Sequence, residues 1–133
     1  MKVFENKFIV MYLNNDLSSL DHYWTGSSVS MKESDYKDIM NEIVKQVEHN
    51  SLKHLMSDAR LFAYAIAPSL QEWTNENFFA KLLDLKLRKY AILLTTDFIA
   101  QLSIEQTIEE DKGQALPIQY FDDELKAKEW LKK

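Results

Sequence analysis

The polar side chains best placed to do chemistry are Asp58, Arg60, Thr95, Thr96 and Asp97. They close or follow two apolar runs: Lys53 to Asp58 reads K-H-L-M-S-D, and Arg88 to Asp97 reads R-K-Y-A-I-L-L-T-T-D. In open α/β sheets ligands sit beyond the carboxyl ends of the strands, so these five residues form the candidate site. Arg60 has the planar fork that clamps a carboxylate or phosphate through two bonds. Helix N-termini expected near Pro68 and Asp97 would add backbone N–H donors for an anion. Each residue also has a plain structural role. Asp97 can cap a helix, Thr95 and Thr96 can finish a strand, and Arg60 can pair with Asp58. Trp73 is the sixth candidate, because Thr74-Asn75-Glu76-Asn77 follows it and obliges part of its helix to face water. With Trp24, Tyr64, Phe78 and Phe79 it would line a hydrophobic pocket or a partner surface, although large aromatics at periodic positions are more often core.

Other chemistry is excluded by what the chain lacks. It has no cysteine, which removes thiol nucleophiles, thiolate metal sites and disulfides. His22, His49 and His54 show no metal-ligand spacing, and no H-E-x-x-H motif is present. Two glycines, Gly26 and Gly113, are too few for a P-loop or a dinucleotide fingerprint. Asp58 and Thr95 stand like the strand ends of a phosphoacceptor receiver. The acidic residues closing the first strand and the lysine closing the last are missing from that pattern. No catalytic residue, metal or cofactor is expected, and the chain is not expected to be an enzyme.

Net charge is -5 and pI is near 5.2. Nucleic acid is therefore not an expected partner, since phosphate binding needs a basic face. Lys86, Arg88 and Lys89 make the one obvious local basic cluster. No apolar run approaches the roughly 20 residues of a membrane span. The segment Met1-Lys2-Val3-Phe4-Glu5-Asn6-Lys7 is too polar for a signal peptide. A cytoplasmic protein without integral membrane association is expected.

The elements that must position these residues can be read from periodicity. The run ending at Thr95 lacks polar alternation, which predicts a strand buried on both faces near the middle of a sheet. Lys7 to Leu13 and Leu20 to Thr25 predict an antiparallel hairpin, the second strand half-exposed, around an Asn14–Ser19 turn. Ser30 and Glu33 have capping-box spacing. Tyr36, Ile39, Met40, Ile43, Val44 and Val47 then fall on one helical face. A second helix starts at Pro68 and runs to about Leu85. Asp97 caps a third from about Phe98 to Asp111, burying Ile99, Leu102, Ile104 and Ile108, with Gly113 ending it. Leu116 to Phe121 is a last strand. Asp122 or Asp123 caps a final helix that uses Leu125, Ala127, Trp130 and Leu131. The 133 residues suit one domain, 1–133. The order predicts an α/β fold with a mixed four- to five-stranded sheet, an N-terminal antiparallel hairpin followed by parallel strands, and helices packed on it.

This order, with Ser57-Asp58-Ala59-Arg60 after one strand, Ser69 to Asn77 on the next helix, Asp97 to Thr107 on the third and Tyr120-Phe121-Asp122-Asp123 before the last, resembles bacterial single-domain STAS-like proteins. Those are grouped with the anti-sigma-factor antagonists of sporulation and with CRAL-TRIO-type lipid-binding folds. The resemblance implies a four- or five-stranded sheet with helices. The antagonists carry a phosphorylatable serine in an Asp-x-Ser-Gly motif. Here Asp58-Ala59-Arg60-Leu61 puts arginine at the serine position and no glycine after it, so the phosphoswitch is not carried over.

The functional expectation is a non-enzymatic interaction module. It would bind a protein partner or itself, as a homodimer, through the helices flanking Trp73 and the central strand. The alternative is a binder of a small apolar or anionic metabolite or lipid, with aromatic walls and Arg60 as anchor.

Overall fold

The computed structural model describes residues 1–133, the side chain of Asp111 excepted. Six strands form one sheet: β1 (Lys2–Glu5), β2 (Ile9–Asn14), β3 (Ser19–Trp24), β4 (His54–Asp58), β5 (Lys89–Leu93) and β6 (Ile118–Phe121). They lie side by side in sequence order. β1, β2 and β3 pair antiparallel, and β3 to β6 run parallel. The expected α/β fold with its N-terminal hairpin and parallel strands is therefore present, on six strands. The added one is β1, four residues on the sheet edge. It has no usable period, and Asn6 ends it by accepting from the backbone N–H groups of Phe8 and Ile9 at 2.8 and 3.0 Å.

β3 was expected to be half-exposed, yet five of its six residues are buried. Its edges pair with β2 and β4, Leu20 and Trp24 enter the larger core on one face, and Tyr23 packs against the smaller core on the other. Asp21 is accommodated there by accepting from Ser19 Oγ at 2.6 Å and Asn14 Nδ2 at 3.2 Å. β5 is buried on both faces as its apolar run requires, although it is fifth of six rather than central. Tyr90 and Ile92 enter the larger core, and Ala91 and Leu93 the smaller one.

α1 (Glu33–His49) fills the crossover from β3 to β4 and buries its six predicted apolar residues. It begins three residues later than Ser30, because Gly26–Ser30 forms a 3₁₀ turn. The Lys32 N–H is taken instead by the Asp35 carboxylate at 2.8 Å. The next crossover is a continuous rod: α2 (Pro68–Thr74), a π-helical turn over Asn75–Phe79, and α3 (Ala80–Asp84). α4 (Phe98–Glu109) and α5 (Asp111–Ala115) join β5 to β6. Asp97 caps α4 by accepting from the Ala100 N–H at 2.9 Å, and Asp123 caps α6 (Glu124–Lys132) by accepting from Leu125 at 2.7 Å. Gly113 does not end α4; it lies within α5. Its N–H donates to Asn75 Oδ1 at 2.9 Å. A Cβ there would collide with the Ile108 carbonyl, so close approach, not helix termination, calls for glycine.

α1 to α4 pack on one face of the sheet around the larger core, and α6 alone covers the other. Because β3 to β6 are parallel, their carboxyl ends open onto one rim and their amino ends onto the other.

Candidate functional site

Asp58, Arg60, Thr95, Thr96 and Asp97 do meet at the carboxyl rim, and the structure shows what occupies them. Asp58, 7% exposed, accepts from Arg60 Nε at 2.9 Å and from Nη2 at 2.6 Å. The Arg60 backbone N–H adds a third bond at 3.1 Å. The fork expected to hold a ligand carboxylate is thus closed on the chain's own. The bonds to Asp58 raise the Arg60 pKa further above its ordinary value, with Glu124 a smaller cause. Glu124 Oε1 lies 3.7 Å from Nη2, and Glu124 Oε2 accepts from Tyr23 at 3.2 Å and pairs with Lys128 at 3.0 Å. Two cations and two carboxylates balance, so this cluster has no excess charge to draw an anion. Burial first, and the Glu124 charge next, push the Tyr23 phenol up.

Thr95 is also committed. Its hydroxyl donates to the Phe62 carbonyl at 2.6 Å and accepts from the Asp97 N–H at 3.1 Å, fastening the start of α4 to the loop after β4. Asp97 holds the α4 N-cap. Thr96 is exposed. Trp73 makes its contacts on α1, edge-on to Tyr36 with ring centroids 6.3 Å apart and with Lys37 Nζ 5.6 Å from its ring. Among the described residues, no group of three His, Asp or Glu side chains is placed to hold a metal ion.

The sequence did not single out the rim's most distinctive feature. Val29, Leu61, Leu94, Phe98, Ile99, Leu102 and Leu125 are all exposed. Each belongs to a segment that leaves or follows a parallel strand at its carboxyl end. The expected facing of α4 holds in part: Ile104 and Ile108 pack against the larger core, whereas its first turns point Phe98, Ile99 and Leu102 outward. Ile99 and Leu102 were to be buried, and instead they are 58% and 41% exposed. The buried residues of α4 are Ala100, Ser103 and Thr107. Small side chains at that helical spacing bring the helix close to its neighbours, and the two hydroxyls satisfy themselves on the Ala100 and Ser103 carbonyls at 2.8 and 2.6 Å. That Ala–Ser–Thr stripe was the readable signal. Leu125, also expected inside, is 67% exposed at the start of α6, while Ala127 and Leu131 are buried.

No helix is long and apolar enough to cross a membrane. Comparison with protein-family models, with curated proteins and with solved structures returns no match to this chain.

Proposed function

We propose that the chain is a non-enzymatic, STAS-like interaction module, and that the partner seated on its carboxyl rim is a second copy of itself. The observation that carries this is the exposed apolar set on that rim. With 36% to 76% of each residue exposed, the seven together present on the order of 700 Å² of surface, set against the ~800 Å² each partner gives a standard interface. A two-fold arrangement would cover both patches at once, because the same surface serves on each side. The neighbouring charges are largely paired: Arg60 and Lys128 offset Asp58 and Glu124, and Lys126 offsets Asp122, while the carboxylates of Asp97 and Asp123 are tied up as helix caps. Asp58, Arg60, Thr95 and Asp97 are engaged in structural bonds, which supports a binding rather than a catalytic role. The STAS-like identity rests on the quoted segments together with the hairpin-then-parallel sheet.

Sedimentation of the purified chain tests this. A dimer at micromolar concentration is expected, and Phe98→Asp with Leu102→Asp should yield a monomer with an unchanged circular-dichroism spectrum. A chain that stays monomeric at high concentration, or a dimer indifferent to both substitutions, would sink the proposal. A monomer that captures a different protein through the same residues would replace the second copy with that partner.

A further inference from the structure

Beneath α4 lies an internal space that the rim interface does not use. Its volume is about 60 Å³, and its walls include Trp24, Tyr36, Ser57, Thr74, Tyr90 and Thr107. On the α4 side it is lined by Ile104, Thr107 and Ile108, and among the described residues no charged side chain lines it.

The hydroxyls around it are unequal. Thr74 Oγ1 donates its proton to the Leu70 carbonyl at 2.7 Å, so the Tyr36 hydroxyl, 2.8 Å away, must donate to Thr74. Thr107 donates to Ser103. Ser57 Oγ accepts from the Trp24 indole N–H at 3.1 Å, which leaves its own proton uncommitted. Tyr90 is 5% exposed, and no hydrogen bond contributes to its raised pKa, which burial and the Tyr36 and Tyr120 phenols account for. Two O–H donors with no acceptor at hydrogen-bonding distance among the described residues therefore belong to the lining of one largely apolar space.

Two further features adjoin this space. His22 sits behind the wall, its ring 6.4 Å from those of Trp24 and Tyr90, with neither nitrogen hydrogen-bonded. A buried orphan of this kind costs stability and is rare without a function to serve. The wall also contains the π-helical turn, which carries Phe78 and Phe79; such turns recur at functional sites.

We propose that this cavity binds a small uncharged carbonyl compound, its oxygen accepting from Ser57 and Tyr90 and its apolar remainder packed among the aromatics. By the room a water needs, the space takes about four heavy atoms, well short of the ~150 Å³ that admits benzene. A lipid chain does not fit. The site is separate from the rim interface and stands or falls without it.

Acetone is the probe, with acetate as the charged control of equal heavy-atom count. In a titration of the full chain followed by NMR, acetone should give saturable millimolar shifts at the Trp24 indole N–H, and acetate none. Tyr90→Phe removes a hydroxyl that has no protein partner, so the variant should fold. It should weaken acetone by about tenfold, the loss of one hydrogen bond, and Ser57→Ala should weaken it too. Shifts that never saturate, equal binding of acetate, or unchanged affinity in both variants would overturn the proposal.

Discussion

The two rims of the sheet are finished in opposite ways. At the amino rim, α1 and α3 each end in a Schellman turn. The Leu52 N–H reaches back to Val47 at 3.0 Å with Ser51 in the left-handed region, and the Leu87 N–H reaches Leu82 at 3.1 Å with Lys86 there. The leucine after each turn folds inward, leaving Leu52 9% and Leu87 6% exposed. Most of what remains outside at that edge is polar, Asn15, Asp16, Ser51, Lys53, Asp84, Lys86 and Arg88 among it, with Met1 and Pro117 the exposed apolar residues. At the carboxyl rim the polar groups are drawn into bonds and the large apolar residues stand in water. Most of the exposed large apolar side chains thus gather at the carboxyl edge, where the proposed association would draw on them. The carboxyl rim is the asymmetric cost, since exposed apolar side chains add nothing to the stability of a lone copy.

The same substitution at each rim breaks or confirms that contrast most sharply. Leu87→Ala removes a buried side chain and should cost roughly 2–5 kcal/mol. Leu102→Ala, at the carboxyl rim, should change monomer stability by no more than about 0.5 kcal/mol. Urea unfolding at high dilution, where association is absent, measures both. A large loss at Leu102 would mean that α4 packs through its outer residues, and the interface proposal would lose its basis.

Acid should act through the interior between the rims. Burial lowers the His22 pKa to about 4 from 6.5. The nearby Leu20 carbonyl holds back part of the shift without the geometry of a hydrogen bond, and the Asp58 charge a little more. Between those values the unfolded chain binds the proton and the folded chain does not. Stability from this group is complete above pH 6.5 and drains away as pH falls towards 4, by up to about 1.4 kcal/mol per pH unit. His54 is shifted the same way by partial burial, so the contribution of His22 is read as the difference between the wild-type and His22→Leu curves. Replacing an orphaned ring by an apolar side chain of similar size should be near neutral at pH 7. Parallel curves from pH 7 to 4 would assign acid sensitivity to other groups, the carboxyl-rim ion pairs among them.

Much of this arrangement was legible because it follows from local rules. The six-residue face of α1, Pro68 at a first turn, Asp97 as a cap and the two-sided burial of β5 are each set by residues within a few positions of one another. What escaped depended on partners distant in sequence. β3 was read as half-exposed because Asp21, Tyr23 and Thr25 alternate with apolar residues, and only the sheet order shows it to be interior. Only half of the facing of α4 was legible, Ile104 and Ile108 packing inward and Ile99 and Leu102 not, because its apolar residues ring the helix and hydropathy alone then selects no side. Asn75, whose side-chain amide donates to the Thr107 carbonyl at 2.9 Å and whose Oδ1 accepts from Gly113, helps fix the inward face, and nothing in the spacing announces that link. The pairing of Arg60 with Asp58, two residues away, was among the local readings and is the one the structure adopts.

The smallest effects separate the rims at their helix ends. Asp97→Ala deletes the α4 cap at the carboxyl rim and should cost about 1 kcal/mol. At the amino rim the sign reverses. Lys86 adopts φ 60°, a conformation that strains any side chain and suits glycine. Lys86→Gly should therefore stabilise by a few tenths to about 1 kcal/mol, the relieved strain being offset in part by the greater freedom of glycine in the unfolded chain. Thermal unfolding of the two variants under one buffer gives both signs. If Lys86→Gly destabilised instead, the lysine stem would be contributing contacts at the turn, and the amino rim would owe its closure to side-chain packing as well as to the backbone caps.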